Sequence, residues 1–364
     1  MRIGVITLPL FTNYGGILQA YALQHVLRQM GHSVETTQFQ WKLERPFMKE
    51  PLRHVKHFVL RHLFQKDVNL DFQRKKHFVE KYINLRQIRH YSDIQEGEYD
   101  ALIVGSDQIW RPSYLNEPIE DAFLAFAKDW KDIKRLAYAV SFGTDQWEYN
   151  KEQTAHSCEL IKLFDAVSVR EESAVTMCKQ FLHRDVQQML DPTMLLTAND
   201  YAILFKNKSL QPIEGEMLVY ILDENTKKLN VVTQMSNKLG YKPFQANSSY
   251  INRKDLQSEM QYPVEQWLKG FQDAQFVITD SFHGTVFSIL FGKPFVVLGN
   301  EERGLARLKS LLKLFGLENH LMLQDGLAEN GDDYSWDRQV VSQKLDELRK
   351  DAYAFLTTHL VAGN

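Results

Sequence analysis

The chain has 364 residues, 44% hydrophobic and 24% charged, and its 43 Lys and Arg against 46 Asp and Glu leave a net charge of −3. That composition excludes a disordered, collagen-like or disulfide-stapled chain, and the near-neutral balance offers no global electrostatic reason to bind nucleic acid. The length suits two domains, each able to bury a core, with a cleft between them.

Short aliphatic runs predict strands at 2–8, 32–39, 101–104, 136–140, 166–169, 217–222, 276–279 and 294–298. Several are apolar at nearly every position, as strands covered on both faces of a parallel sheet are. Helical periodicity fills the intervals at 17–30, 172–182, 226–239, 264–274 and 304–315. This βαβα order predicts α/β architecture with doubly wound sheets. A boundary is expected near 195, because Pro192 disfavours helix before it and a polar stretch follows Leu190-Asp191-Pro192-Thr193. The expected division is 1–195, 196–335, and C-terminal helices at 336–364 that cross back over the first domain.

Residues 42–90 break the alternation. They hold 13 basic and 5 acidic residues, a local net of +8, with five of the 12 histidines, His54, His57, His62, His77 and His90. Phe47, Val55, Phe58, Val59, Leu63 and Phe64 predict amphipathic helices with a basic face, inserted in the first domain. A solvated helical pair and a face for an anionic membrane surface or substrate are both open readings. Cys158 and Cys178 lack CxxC spacing and read as reduced structural thiols. With an N-terminal apolar run too short for a signal peptide and no window of ~20 apolar residues, the expected location is the cytoplasm, at most peripheral to the inner face of the membrane.

Four segments carry candidate chemistry. Asn13-Tyr14-Gly15-Gly16 follows the first strand and enters a helix, an arrangement that cradles an anion; a plain packing role for the glycines is the alternative. It lacks GxGxxG and the Walker Lys-Ser/Thr, which disfavours dinucleotide and P-loop readings. Asp107 follows a buried strand, where a general base or a sugar-hydroxyl acceptor would sit, or else it caps the next segment. Arg170 ends a strand and offers a planar fork to carboxylate or phosphate, or pairs with Glu171 or Glu172. His283, flanked by Asp280, Ser281 and Gly284 at a strand end, suits acid, base or anion-donor work near neutral pH. Further on, Arg303 and Arg307 share a helix face and meet either phosphate or solvent.

Taken in order, NYGGILQAYAL from Asn13, VGSDQIW from Val104, SVREESA from Ser168, LDPTMLL from Leu190 and TDSFHGTVFSILFGKPF from Thr279 resemble the polysaccharide pyruvyl transferase family. The resemblance runs from Met1 to about Phe315 and implies two Rossmann-like domains facing across a cleft, as in the glycosyltransferase-B class. It implies transfer of the pyruvyl group of phosphoenolpyruvate to two hydroxyls of a sugar in a surface polysaccharide or its lipid-linked precursor, with a cyclic ketal formed and phosphate released. The family's histidine falls on His283 and its donor-binding arginine on Arg170, with Asp107 beside the acceptor and the Gly15-Gly16 loop lining the acceptor side. Better-known members place an arginine where this chain has Ser281, so a second donor-binding cation is sought among Lys293, Arg303 and Arg307. No metal or cofactor is called for. A nucleotide-sugar glycosyltransferase of the same fold and a non-catalytic partner in polysaccharide assembly are the alternatives.

Overall fold

The computed structural model describes residues 1–10, 13–39, 75–115, 117–246, 262–299, 304–323 and 334–361. Its first sheet contains β1 (Arg2–Ile6), β2 (Ser33–Phe39), β3 (Leu85–Ile88), β4 (Ala101–Val104), β5 (Lys134–Val140), β6 (Ala166–Val169) and β7 (Gln187–Gln188), in the order β3-β2-β1-β4-β5-β6-β7. The second contains β8 (Met217–Tyr220), β9 (Pro243–Phe244), β10 (Phe276–Thr279), β11 (Phe295–Leu298) and β12 (Leu321–Met322), in the order β12-β11-β10-β8-β9. Every pairing is parallel. β4, β6, β8, β10 and β11 are buried at all four positions, which is why they read as unbroken apolar runs. Two Rossmann-like lobes therefore form, as expected.

Strand order reverses between β1 and β4 in one lobe and between β8 and β10 in the other. Crevices open at the carboxyl ends of strands at such reversals. The helix Tyr14–Gln29 leaves β1 there, capped by Asn13, whose side chain accepts the Gly15 N–H at 2.9 Å. The helix Phe282–Leu290 leaves β10 in the same way, capped by Ser281. β5 carries a register shift between Ala137 and Val140, with Ala139 at a φ of 46°. The Ser168 hydroxyl patches that bulge, accepting from the Ala139 N–H at 2.9 Å and donating to the Ala137 carbonyl at 3.2 Å.

One apolar core runs through both lobes. Tyr14 stacks on Trp267 with ring centroids 5.2 Å apart, and its hydroxyl donates to the Tyr262 carbonyl at 2.6 Å. On the other flank, Ser310 accepts the Glu172 N–H at 2.9 Å, and Lys313 pairs with Glu172 at 2.8 Å. The helix Arg338–His359 lies across the first lobe, where Arg349 donates to the carbonyls of Met194 and Leu196 at 2.8 and 2.7 Å.

Most of the basic segment 42–90 lies outside the described residues, including His54, His57 and His62. Its end departs from the helical expectation: after a helical stretch at 75–82, Leu85–Ile88 is an edge strand in register with β2. Among the described residues no helix is long and apolar enough to cross a membrane.

Candidate active site between the two lobes

Both strand-order reversals open on one cavity of about 50 Å³, room for on the order of four water molecules. Asn13, Asp107, Gln108 and Tyr114 line it from the first lobe, and Leu222, Asp280, Ser281, Phe282, His283, Gly304 and Arg307 from the second. Three of these residues are helix caps: Asn13, Ser281 and Gly304 precede Tyr14–Gln29, Phe282–Leu290 and Leu305–Phe315. Three helix N-termini, each with partial positive charge and unpaired N–H groups, converge on the same small volume.

The turn that presents His283 is built by its neighbours. Thr279 Oγ1 donates to the Tyr220 carbonyl at 2.7 Å and accepts the Ser281 N–H at 3.1 Å, so the chain turns sharply out of β10. Gly284 lies against that hydroxyl; a Cβ there would come within 2.1 Å of it. Asp280 faces the other way, accepting from the N–H groups of Leu222 and Asp223 at 2.7 and 3.2 Å and from Lys228 Nζ at 2.7 Å. It holds the loop after β8 and is not free for chemistry. The His283 ring packs directly on Gly15, where a Cβ would stand 1.9 Å from Nδ1. Gly16 faces Asp107 in the same manner, with 3.1 Å between its would-be Cβ and Oδ2. The paired glycines thus let a helix start of one lobe meet the histidine of the other and the carboxylate beside it.

Behind His283 lies Asp191, fully enclosed. Its Oδ1 accepts the Thr193 N–H and hydroxyl at 2.9 and 2.6 Å, and its Oδ2 accepts Arg170 Nη1 at 2.7 Å and the Ser106 hydroxyl at 2.9 Å. His283 Nε2 is 3.6 Å from Oδ2, within ion-pair reach and beyond a hydrogen bond. Burial alone would raise the Asp191 pKa, but His283, Arg170 and Thr193 outweigh it and hold the carboxyl well below the usual carboxylate range. Sequence reading takes the segment around Asp191 as a domain boundary and passes over the carboxylate. The signal lay in LDPTMLL itself, an Asp before Pro-Thr that caps its own turn.

Arg170 departs from its expected place. Its side chain is 1% exposed, it does not line the cavity, and one arm of its fork is spent on Asp191. Its guanidinium lies 4.4 Å from the Phe282 ring centroid, and Arg307 approaches the same ring at 5.9 Å. Glu171 lies 3.9 Å from Arg170 Nε and accepts from the Ser141 hydroxyl and the Phe142 N–H at 2.9 and 3.0 Å. Arg307, by contrast, lines the cavity. Burial first, then the neighbouring Arg170, lowers its pKa to about 10, so it stays cationic at neutral pH. Lys293 does not join the cluster: it sits before β11, at the amino end of the second sheet, where Nζ donates to the Gln272 carbonyl at 2.6 Å. Tyr14 is not on an acceptor surface either, since it is buried against Trp267 with Lys75 Nζ 4.3 Å from its ring centroid. Arg303 lies outside the described residues.

Two parallel sheets with both reversals turned onto one polar cavity place a ligand site between the lobes. The family model of polysaccharide pyruvyl transferases matches residues 13–302, and the chain belongs to that family. No curated protein sequence matches it. Among solved structures it is similar to UDP-GlcNAc 2-epimerase from Neisseria meningitidis bound to UDP-GlcNAc, at 10% identity over 100% of this chain and 95% of that one, with a TM-score of 0.46. It is also similar to MurG of Acinetobacter baumannii, at 10% identity, 98% and 99% coverage and a TM-score of 0.46. The UDP-GlcNAc 2-epimerase of Methanocaldococcus jannaschii is comparable, at 11% identity, 95% and 92% coverage and a TM-score of 0.45.

Proposed function

We propose that the protein transfers the pyruvyl group of phosphoenolpyruvate to two hydroxyls of a saccharide in a surface polysaccharide or its precursor, forming a cyclic ketal and releasing phosphate. One observation carries this reading beyond family membership: three helix N-termini, Arg307 and His283 meet at one cavity. Such a site favours an anionic donor.

In this reading Arg307 supplies the cation that Ser281 cannot, and it shares the donor's negative charge with the helix ends. His283 gives its proton to the methylene carbon of the donor, leaving an oxocarbenium-like centre at the adjacent carbon. The first sugar hydroxyl adds there and passes its proton to Asp107 or to the vacated His283. Phosphate then leaves with its bonding electron pair, and the second hydroxyl closes the ring. In sum the methylene gains one proton, phosphate carries away another, and both come from the two hydroxyls. Asp191 supplies the charged imidazolium with a buried counter-ion, and Arg170 and Ser106 keep that carboxylate in place.

Incubation with phosphoenolpyruvate and candidate saccharides tests the reading, with phosphate release and the mass gain of one pyruvyl ketal as readouts. The expected result is release that depends on acceptor, with kcat lowered about 10²-fold or more in His283→Ala. Thermal stabilisation by UDP- or GDP-sugars with none by phosphoenolpyruvate would replace the reading with glycosyl transfer.

A further inference from the structure

Glu171 is a fully buried carboxylate to which the reaction assigns no step. Although it stands at the cap position of the helix Glu172–Phe181, its side chain does not cap that helix. Its Oε1 instead gathers the loop after β5, accepting the Ser141 hydroxyl at 2.9 Å, the Phe142 N–H at 3.0 Å and the Gly143 N–H at 3.3 Å. Phe142 is buried, and its N–H has no other acceptor among the described residues. A buried N–H stripped of its acceptor costs the desolvation of that group, so without Glu171 the loop has to move. Oε2 plays no part in this hold. It lies 3.9 Å from Arg170 Nε, beyond hydrogen-bond distance, and has no hydrogen bond among the described residues. The loop therefore needs one acceptor oxygen on a side chain of this length, and not its negative charge.

The loop touches both flanks of the cavity. On one side the Ser141 N–H donates to the Asp107 carbonyl at 3.2 Å and the Ser141 carbonyl accepts the Trp110 N–H at 3.3 Å, which braces the segment that carries Asp107. On the other, Gly143 meets the second lobe backbone to backbone, its carbonyl filling the space that a Cβ on Gly304 would need. Gly304 opens the helix Leu305–Phe315 and accepts the Arg307 N–H at 3.2 Å. It lies so close under the Arg307 side chain that the same Cβ would stand 2.9 Å from Nε. Further along that helix the residue next to Glu171 holds the opposite half, since Glu172 donates its N–H to Ser310 and pairs with Lys313. With that half anchored and the seam close-packed, a shift of residues 141–143 passes to the first turn and to the guanidinium it carries.

We propose that Glu171 is a positioning residue: through the loop 141–143 and Gly304 it fixes where Arg307 meets the donor anion. The proposal rests on the reading above for the use of Arg307, and two probes keep the identity of the donor separate. Titration calorimetry on the full chain, with phosphoenolpyruvate and with UDP, tests it. For the anion that the wild type binds, Glu171→Ala should weaken affinity about tenfold or more. Glu171→Asp, which keeps the charge but falls one methylene short, should weaken it about fivefold or more, whereas Glu171→Gln presents the same oxygen and should stay within about threefold. Gly304→Ala, which forces the helix away from Gly143, should also weaken binding, and together with Glu171→Ala by less than the product of the two single losses. If Glu171→Ala does not fold, the contrast between the Asp and Gln variants and the effect of Gly304→Ala decide the matter. A lower melting temperature in the Glu171 variants with unchanged affinity in the folded protein overturns the proposal. So does affinity kept in Glu171→Asp and lost in Glu171→Gln, or single losses that multiply in full. Wild type that binds UDP but not phosphoenolpyruvate sinks the pyruvyl-donor reading and leaves Glu171 to be judged on UDP; binding of neither overturns both.

Discussion

At the scale of single residues, the site joins a buried ion pair to a buried cation with less support. Asp191 and Arg170 are almost wholly enclosed and bound at 2.7 Å, so Asp191→Asn leaves Arg170 with only Glu171, 3.9 Å from its Nε, as counter-charge. The expected loss is about 3–5 kcal/mol at neutral pH, read from urea denaturation. Because the folded carboxyl titrates below its unfolded value, this stabilisation is complete above the unfolded pKa of about 4 and fades as pH falls toward the depressed one. The difference between wild type and Asp191→Asn should therefore shrink below about pH 4; a difference constant from pH 7 to pH 3 would contradict the ion-pair assignment. Arg307 has the opposite balance, since burial and Arg170 lower its pKa to about 10 and its charge costs stability below that pH. Arg307→Met should leave the ligand-free protein as stable as the wild type, or more stable by roughly 1–3 kcal/mol, and abolish thermal stabilisation by phosphoenolpyruvate. A variant that is less stable yet still binds the donor would show that Arg307 serves the fold.

At the scale of elements, long buried strands and amphipathic helices are legible in the sequence because their patterns are local. The helix Thr226–Leu239 falls on its expected bounds, and each aliphatic run becomes a strand. The short strands Gln187–Gln188, Pro243–Phe244 and Leu321–Met322 have no period to read, and Leu85–Ile88 becomes a strand through its neighbour β2. His283 and Asp107 were legible because each follows a buried strand. Asp191 and the demotion of Arg170 were not, because the pair that joins them spans 21 residues and closes only in the folded chain. The glycines at the start of Tyr14–Gln29 show how an element serves the site. Alanine suits a helix, yet a Cβ on Gly15 would stand 1.9 Å from His283 Nδ1. Gly15→Ala should keep its helical circular dichroism and lower kcat by about tenfold or more through displacement of the imidazole. Unchanged kcat would mean that His283 is not held against that helix during turnover.

At the scale of the molecule, two lobes share one core and a close-packed seam. Gly304, at a φ of 89°, comes so near the first lobe that a Cβ on it would lie 2.2 Å from the Gly143 carbonyl oxygen. With Tyr14 stacked on Trp267 across the same boundary, the lobes should unfold together. Calorimetry should give a single transition whose van't Hoff and calorimetric enthalpies agree, and two resolved transitions would show independent lobes. The net charge of −3 hides a division between the +8 of residues 42–90 and the −11 of the remainder. In the proposed reading the described residues offer the donor anion helix ends and the buried Arg307. The central claim is that the donor anion binds where the two strand-order reversals face each other. A crystal structure of His283→Ala soaked with phosphoenolpyruvate tests it most directly. The predicted result is donor phosphate or carboxylate within hydrogen-bond distance of Arg307 and of the N–H groups that open the helices at Asn13 and Ser281; donor bound instead beside Lys293, at the far end of the second sheet, would contradict it.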